Sequence, residues 1–175
     1  DEATGFRAGA AMIDISPPLG ELVVGGFVPF PANEIHDPLH SKCLVLDDGT
    51  TRLAIVICDN LGISRDVYDE ARKLIAEQSK IPADQILMAA THTHSATRAS
   101  SAKYRPRVVA GIVASVNMAI RNLAPAQIGW GGIDEPGEVF NRRWHVNNPE
   151  IARNPFGGVD KVRMNPPRGN AALIK

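Results

Sequence analysis

The spacing of apolar and polar residues changes period several times along the chain, and each change marks an expected element. Phe6 to Ile15 alternate loosely and predict a strand, stopped by Ser16-Pro17-Pro18. Residues 19–40 are rich in Gly and Pro and predict a long irregular loop, a kind of segment that often carries function. Ser41–Leu46 and Arg52–Cys58 are apolar, and Asp47-Asp48-Gly49-Thr50 between them supplies a hairpin turn. Ser64 then reads as an N-cap, and Val67, Ala71, Leu74, Ile75 and Gln78 follow at helical spacing. Pro82 closes that unit. Gln85–Ala90 reads as a buried strand leading into Thr91-His92-Thr93-His94. A second helix begins near Pro106, a favoured first-turn residue, and carries Val109, Ile112, Val113, Val116 and Ile120 inward. Ala126–Gly131 reads as one more strand. Beyond residue 132 the periodicity fades, and 147–170 are heavy in Asn, Pro, Gly and Arg.

From Arg52 the order is strand, helix, strand, helix, strand. That order predicts an α/β fold with a mainly parallel βαβαβ sheet, preceded by an N-terminal strand and a β-hairpin. Crossover connections of this kind join strands that run the same way. The C-terminal ends of such strands share one edge, where open α/β sheets bind ligands. Asp59 ends one predicted strand and His92 ends the next, so position alone nominates Asp59, His92 and His94.

Composition narrows the function classes. The chain has 175 residues, with 19 basic and 19 acidic side chains. This balance gives no sign of electrostatic attraction to nucleic acid or to an anionic membrane. No apolar run approaches the length of a transmembrane helix. Cys43 and Cys58 are too few for a disulfide scaffold and lack zinc-knuckle spacing, so they read as two small buried thiols. The chain starts at Asp1, which fits either an exported, processed protein or a trimmed one.

His92 and His94 are two residues apart at a strand end. In extended backbone they point to one face, with Cα atoms about 6–7 Å apart. One imidazole can then hold a metal while the other handles a proton, with Thr91, Thr93 and Ser95 orienting the rings. With five histidines in the chain, a chance H-x-H pair is the competing explanation. Asp59 either orients a histidine or an incoming loop, or caps the turn before Ser64. His36, followed by Asp37-Pro38, sits beside a defined turn and can line a pocket; exposure in a loop is the alternative. His40 reads as an exposed loop residue. Arg142 and Arg143 read either as a solvated pair or as a holder of a carboxylate or oxyanion.

Taken together, a series of segments resembles the N-terminal region of the neutral/alkaline, non-lysosomal ceramidases. The pieces are Phe6-Arg7-Ala8-Gly9-Ala10-Ala11, Asp14-Ile15-Ser16-Pro17-Pro18-Leu19-Gly20, Gly25-Gly26-Phe27, Ile35-His36-Asp37-Pro38-Leu39, Leu44-Val45-Leu46-Asp47-Asp48-Gly49, Thr91-His92-Thr93-His94-Ser95 and Asn141-Arg142. They occur in the family's order over most of the chain. The resemblance implies a zinc-dependent hydrolase of an N-acyl amide, ceramide-like or otherwise, acting in lipid metabolism in a secreted or periplasmic setting. It implies His92 as the zinc ligand, His94 beside the reacting amide and Arg142 in the same pocket. The family's other ligands, a histidine, a glutamate and a tyrosine, come from later sequence, and the context of His145 does not match. Residues 1–175 are then expected to be the N-terminal portion of one catalytic domain, with the C-terminal remainder expected as a separate fragment. The family often continues T-H-T-H-S with Gly-Pro, where this chain has Ala96-Thr97. That departure touches the loop beside the metal and leaves open a non-catalytic relative that binds a ligand.

Overall fold

The computed structural model describes residues 5–135, 144–146, 152–154, 156–163 and 171–173. The chain divides into two compact units, Asp1–Ile128 and Gly129–Lys175.

The first unit is built on a five-stranded sheet. Strand β1 (Arg7–Asp14) is followed by the short strands β2 (Leu22–Val24) and β3 (Phe30–Pro31), which lie in the predicted loop. The predicted hairpin is β4 (His40–Asp47) and β5 (Arg52–Cys58), antiparallel from Ser41 opposite Cys58 to Asp47 opposite Arg52. Its turn is fixed by side chains. The Asp47 carboxylate accepts the Gly49 N–H at 2.9 Å, and the Asp48 carboxylate accepts those of Thr50 and Thr51 at 2.9 and 2.7 Å. Gly49, at φ 87°, supplies the left-handed step.

Helix α1 (Arg65–Ser79) buries Val67, Ala71 and Ile75 and ends on Lys80 in the left-handed conformation. Ser64 occupies the N-cap position, but its hydroxyl makes no capping bond. Strand β6 (Ile86–Ala90) returns parallel to β5, as the crossover predicts. The two-residue strand β7 (Ala96–Thr97) pairs with β2, which in turn pairs with β3, in a separate three-stranded sheet. Helix α2 (Arg105–Arg121), with Pro106 in its first turn, leads to the two-residue strand β8 (Ala124–Pro125).

The expected mainly parallel βαβαβ sheet needs correcting. The strand order is β6-β5-β4-β1-β8, and β5/β6 is its parallel pair; β1 is antiparallel to both β4 and β8. The cause is the docking of α2. A Cβ on Gly9 of β1 would lie 2.1 Å from the Ala119 carbonyl oxygen, and one on Gly111 of α2 would lie 2.2 Å from Ile15 Cγ2. The two glycines therefore let α2 press on β1, and the chain leaves α2 at the β1 edge rather than beside β6. The predicted strand Ala126–Gly131 is likewise absent. Pairing ends with Ala126 N–H donating to the Phe6 carbonyl at 2.9 Å, after which Ile128 and Trp130 are exposed.

Both helices share one core with the sheet, centred on Ile15, Val45, Val56, Val67, Ile75, Val108, Ile112 and Val116. The Arg105 guanidinium joins the start of α2 to Asp66 and Glu70 of α1. Among the described residues no helix is long and apolar enough to cross a membrane. In the second unit, β9 (Trp144–Val146) lies between β10 (Val162–Arg163) and β11 (Ala171–Leu173), all pairs antiparallel. This small sheet was not legible in the sequence pattern.

Cys43 and Cys58 are free and buried, offset by two residues across the hairpin rather than opposite one another. Burial pushes the Cys43 thiol up to about 12 and the Cys58 thiol up to about 11. Unfolding exposes both, and an unfolded thiol deprotonates near 8.5. The unfolded state therefore releases protons first, so the thiols' contribution to stability is full below about pH 8.5 and declines as pH rises above it. Native protein at pH 8 should resist a thiol reagent that labels both cysteines in denaturant. Fast native labelling of either one would contradict this burial.

Candidate functional site

Parallel pairing of β5 and β6 brings the residues after Cys58 beside those after Ala90. Thr91 N–H donates to the Cys58 carbonyl at 2.9 Å, extending the ladder by one bond. The backbone then departs from the expected extended path, because His92 has φ 62°. A non-glycine residue pays strain in that region, and such residues concentrate at functional sites. Two contacts to the His92 ring accompany the turn. His92 Nδ1 lies 2.7 Å from the Leu61 carbonyl, and His92 Nε2 lies 3.5 Å from His94 Nε2. The rings meet edge to face with centroids 5.0 Å apart. The pair predicted from spacing does converge, through a left-handed turn instead of a strand.

A carbonyl can only accept, so this contact favours a proton on Nδ1 of His92, which in the neutral ring leaves Nε2 with a lone pair toward His94. Fixing one ring nitrogen on a carbonyl is how proteins orient metal-binding histidines. Nε2 of His92 is thus suited to serve as one ligand of a metal. Among the described residues, no group of three or more His, Cys, Asp or Glu completes a metal site.

The loop supplies a wall at Gly25, which the sequence offered only as part of the Gly25-Gly26-Phe27 segment. Bridges from Val23 to Thr97 and from Val24 to Ala96 bring Gly25 against His94. Gly25 has φ 115°, and a Cβ there would fall 2.7 Å from His94 Cβ and Cγ and 2.8 Å from its Cα. Only glycine fits without moving the histidine. Ala96 and Thr97, where the family often has Gly-Pro, are buried in this pairing.

Beside the pair runs an open groove of about 640 Å³. Val23, Phe30, Pro31, Ile35 and Leu39 give it apolar walls, and Thr93 and Ser95, the neighbours of His94, line it too. His36 is on its lining, with a strongly exposed side chain whose Nδ1 lies 2.9 Å from the Asp37 carboxylate.

Asp59 sits at the same sheet edge but turns to β4. Its carboxylate accepts the His40 N–H at 3.0 Å and the Lys42 ammonium at 3.0 and 3.2 Å. Its hydrogen bonds run to those residues and not to His92 or His94. His40, read as an exposed loop residue, instead begins β4, and its side chain is only 22% exposed. Arg142 lies outside the described residues. His145 is exposed in β9 of the second unit.

No family model matches the chain. The fold is similar to a neutral ceramidase from Pseudomonas aeruginosa, with a TM-score of 0.63 and 24% identity over 71% of this chain and 23% of that one. It is also similar to a ceramidase complexed with C2, with a TM-score of 0.64 and 23% identity over 90% of this chain and 28% of that one. The neutral ceramidase-like motif series thus has a counterpart in the fold. The chain spans about a quarter of the length of those structures.

Proposed function

We propose that the intact protein hydrolyses an N-acyl amide of ceramide-like type at a zinc site that includes His92. The observation that carries this reading is the His92 ring, fixed through Nδ1 on Leu61 with Nε2 directed at His94. The ceramidase-like fold supplies the reaction class. When bound, zinc supplies a Lewis acid and lowers the pKa of its water to about 7.

The remaining work falls to side chains of the protein. His94, exposed and hydrogen-bonding-competent beside His92, transfers a proton to the departing amine or holds the carbonyl oxygen as its charge develops. Arg142 is proposed for the same oxyanion. The groove beside Thr93 and Ser95 takes the apolar portion of the substrate, with His36 at its lining. Asp59 acts at one remove, by holding the ends of β4 and β5 together. A catalytic zinc normally has three protein ligands, so other residues of the intact protein complete the set. The same reading carries the expected extracytoplasmic setting.

The test is release of free amine from a short-chain N-acyl sphingosine. Chelator treatment should abolish release and added zinc should restore it. Release that persists in chelator would rule out the metal's role, and ligand binding without release would identify a non-catalytic relative.

A further inference from the structure

Asn60 is completely buried, and the side chain of Leu61 beside it is not. Its amide reaches two groups. Nδ2 lies 3.4 Å from the Thr97 carbonyl and 3.3 Å from the Tyr104 hydroxyl, and Thr97 and Tyr104 are themselves buried. Burying a polar side chain is unfavourable unless it is bonded, and an apolar side chain of similar size would fill this space without that cost. The position of Asn60 in the chain suggests what it gives in return.

The turn that carries His92 and His94 lies between β6 and β7. Asn60 grips the far end of that turn through Thr97, while the next residue, Leu61, grips the near end through His92 Nδ1. The preceding residue, Asp59, is tied to β4 by the His40 N–H and Lys42. Asp59 and Asn60 are therefore both anchored, which fixes where Leu61 starts and leaves its carbonyl, in the next peptide unit, a single backbone rotation from that anchor. That carbonyl is the partner that decides which ring nitrogen of His92 bears the proton.

We propose that Asn60 is a positioning residue that, through the Leu61 carbonyl, holds His92 in the tautomer whose Nε2 is free to bind a metal. The proposal rests on the zinc-site reading above, and its first readout needs no metal. In the metal-free intact protein, nitrogen NMR of the neutral imidazoles should show the His92 proton on Nδ1. Asn60→Ala should shift a substantial fraction to Nε2, and titration with zinc alone should show affinity lowered about 10- to 100-fold. Tyr104→Phe keeps the shape of the core and removes one Asn60 partner, so it should shift the same signal in the same direction. If Asn60→Ala does not fold, Tyr104→Phe decides the matter.

A wild-type His92 protonated on Nε2 would overturn the proposal. So would an unchanged tautomer in folded Asn60→Ala or, failing that variant, in Tyr104→Phe. Wild-type protein that shows the Nδ1 tautomer, loses it in the variants and never binds zinc would sink the zinc reading and leave the positioning role standing.

Discussion

Replacing His92 with glycine should remove amide hydrolysis and zinc binding while changing the stability of the fold little. The two effects have separate causes. His92 sits at φ 62°, a conformation that costs a residue with a Cβ about 1–2 kcal/mol and costs glycine nothing sterically. Glycine's greater freedom in the unfolded chain returns about 0.5–1 kcal/mol of that, and loss of the Nδ1–Leu61 bond costs about 0.5–1.5 kcal/mol, so the net change is expected between about 1 kcal/mol gained and about 1.5 kcal/mol lost. The imidazole is exposed, so its loss opens no cavity in the core. Activity should fall more than about 100-fold, because losing a ligand exceeds the effect of losing a group that merely supports one. His92→Asn, which tolerates the left-handed region, should behave similarly. Amine release and thermal unfolding measured on the same preparations check both halves. A loss of stability well beyond that range would mean that the ring's bond to Leu61 contributes more than one ordinary hydrogen bond. Retained activity would remove His92 from the site.

Gly25→Ala should carry the second largest effect. Its methyl would fall 2.7 Å from His94 Cβ and Cγ at a φ of 115°, so either the loop or the histidine must move. A displacement of about 1 Å at a catalytic group can lower the rate about 100-fold. The expected outcome is a fall of that order in kcat/KM with zinc content unchanged, because the atoms nearest the added methyl are those of His94. Gly26→Ala is the control. The nearest atom its methyl would meet is the Val28 carbonyl oxygen at 3.9 Å, and its activity should be near wild type. Equal activity in the two variants would show that His94 is not held by Gly25 in the working protein.

The elements that the sequence announced are those whose signal is local. The hairpin was legible because Asp47, Asp48 and Gly49 write their own turn, and the parallel β5/β6 pair because a 15-residue helix must cross between them. The path of the second crossover was not legible. It depends on close approaches at Gly9 and Gly111 between elements about 100 residues apart, which no window of sequence reports. The small-residue run Ala8-Gly9-Ala10-Ala11 was the available hint that a helix packs tightly there.

At the site, spacing brought out His92 and His94, but the geometry assumed for them was extended. The left-handed turn at His92 is imposed by the surrounding contacts and runs against the residue's own preference. Gly25 was visible as a doublet with Gly26, without a sign of which glycine was needed. Asn60 and Leu61 left no trace, since one acts through burial and the other through a backbone carbonyl. Asp59 was placed correctly at the sheet edge, yet its bonds turned to His40 and Lys42.

The central claim is that His92 belongs to a zinc site. Elemental analysis of the purified intact protein, beside His92→Gly prepared identically, tests it most directly. The wild type is expected to hold about one zinc per chain and the variant none. Equal zinc in both, or none in a wild type prepared with zinc present, would contradict it.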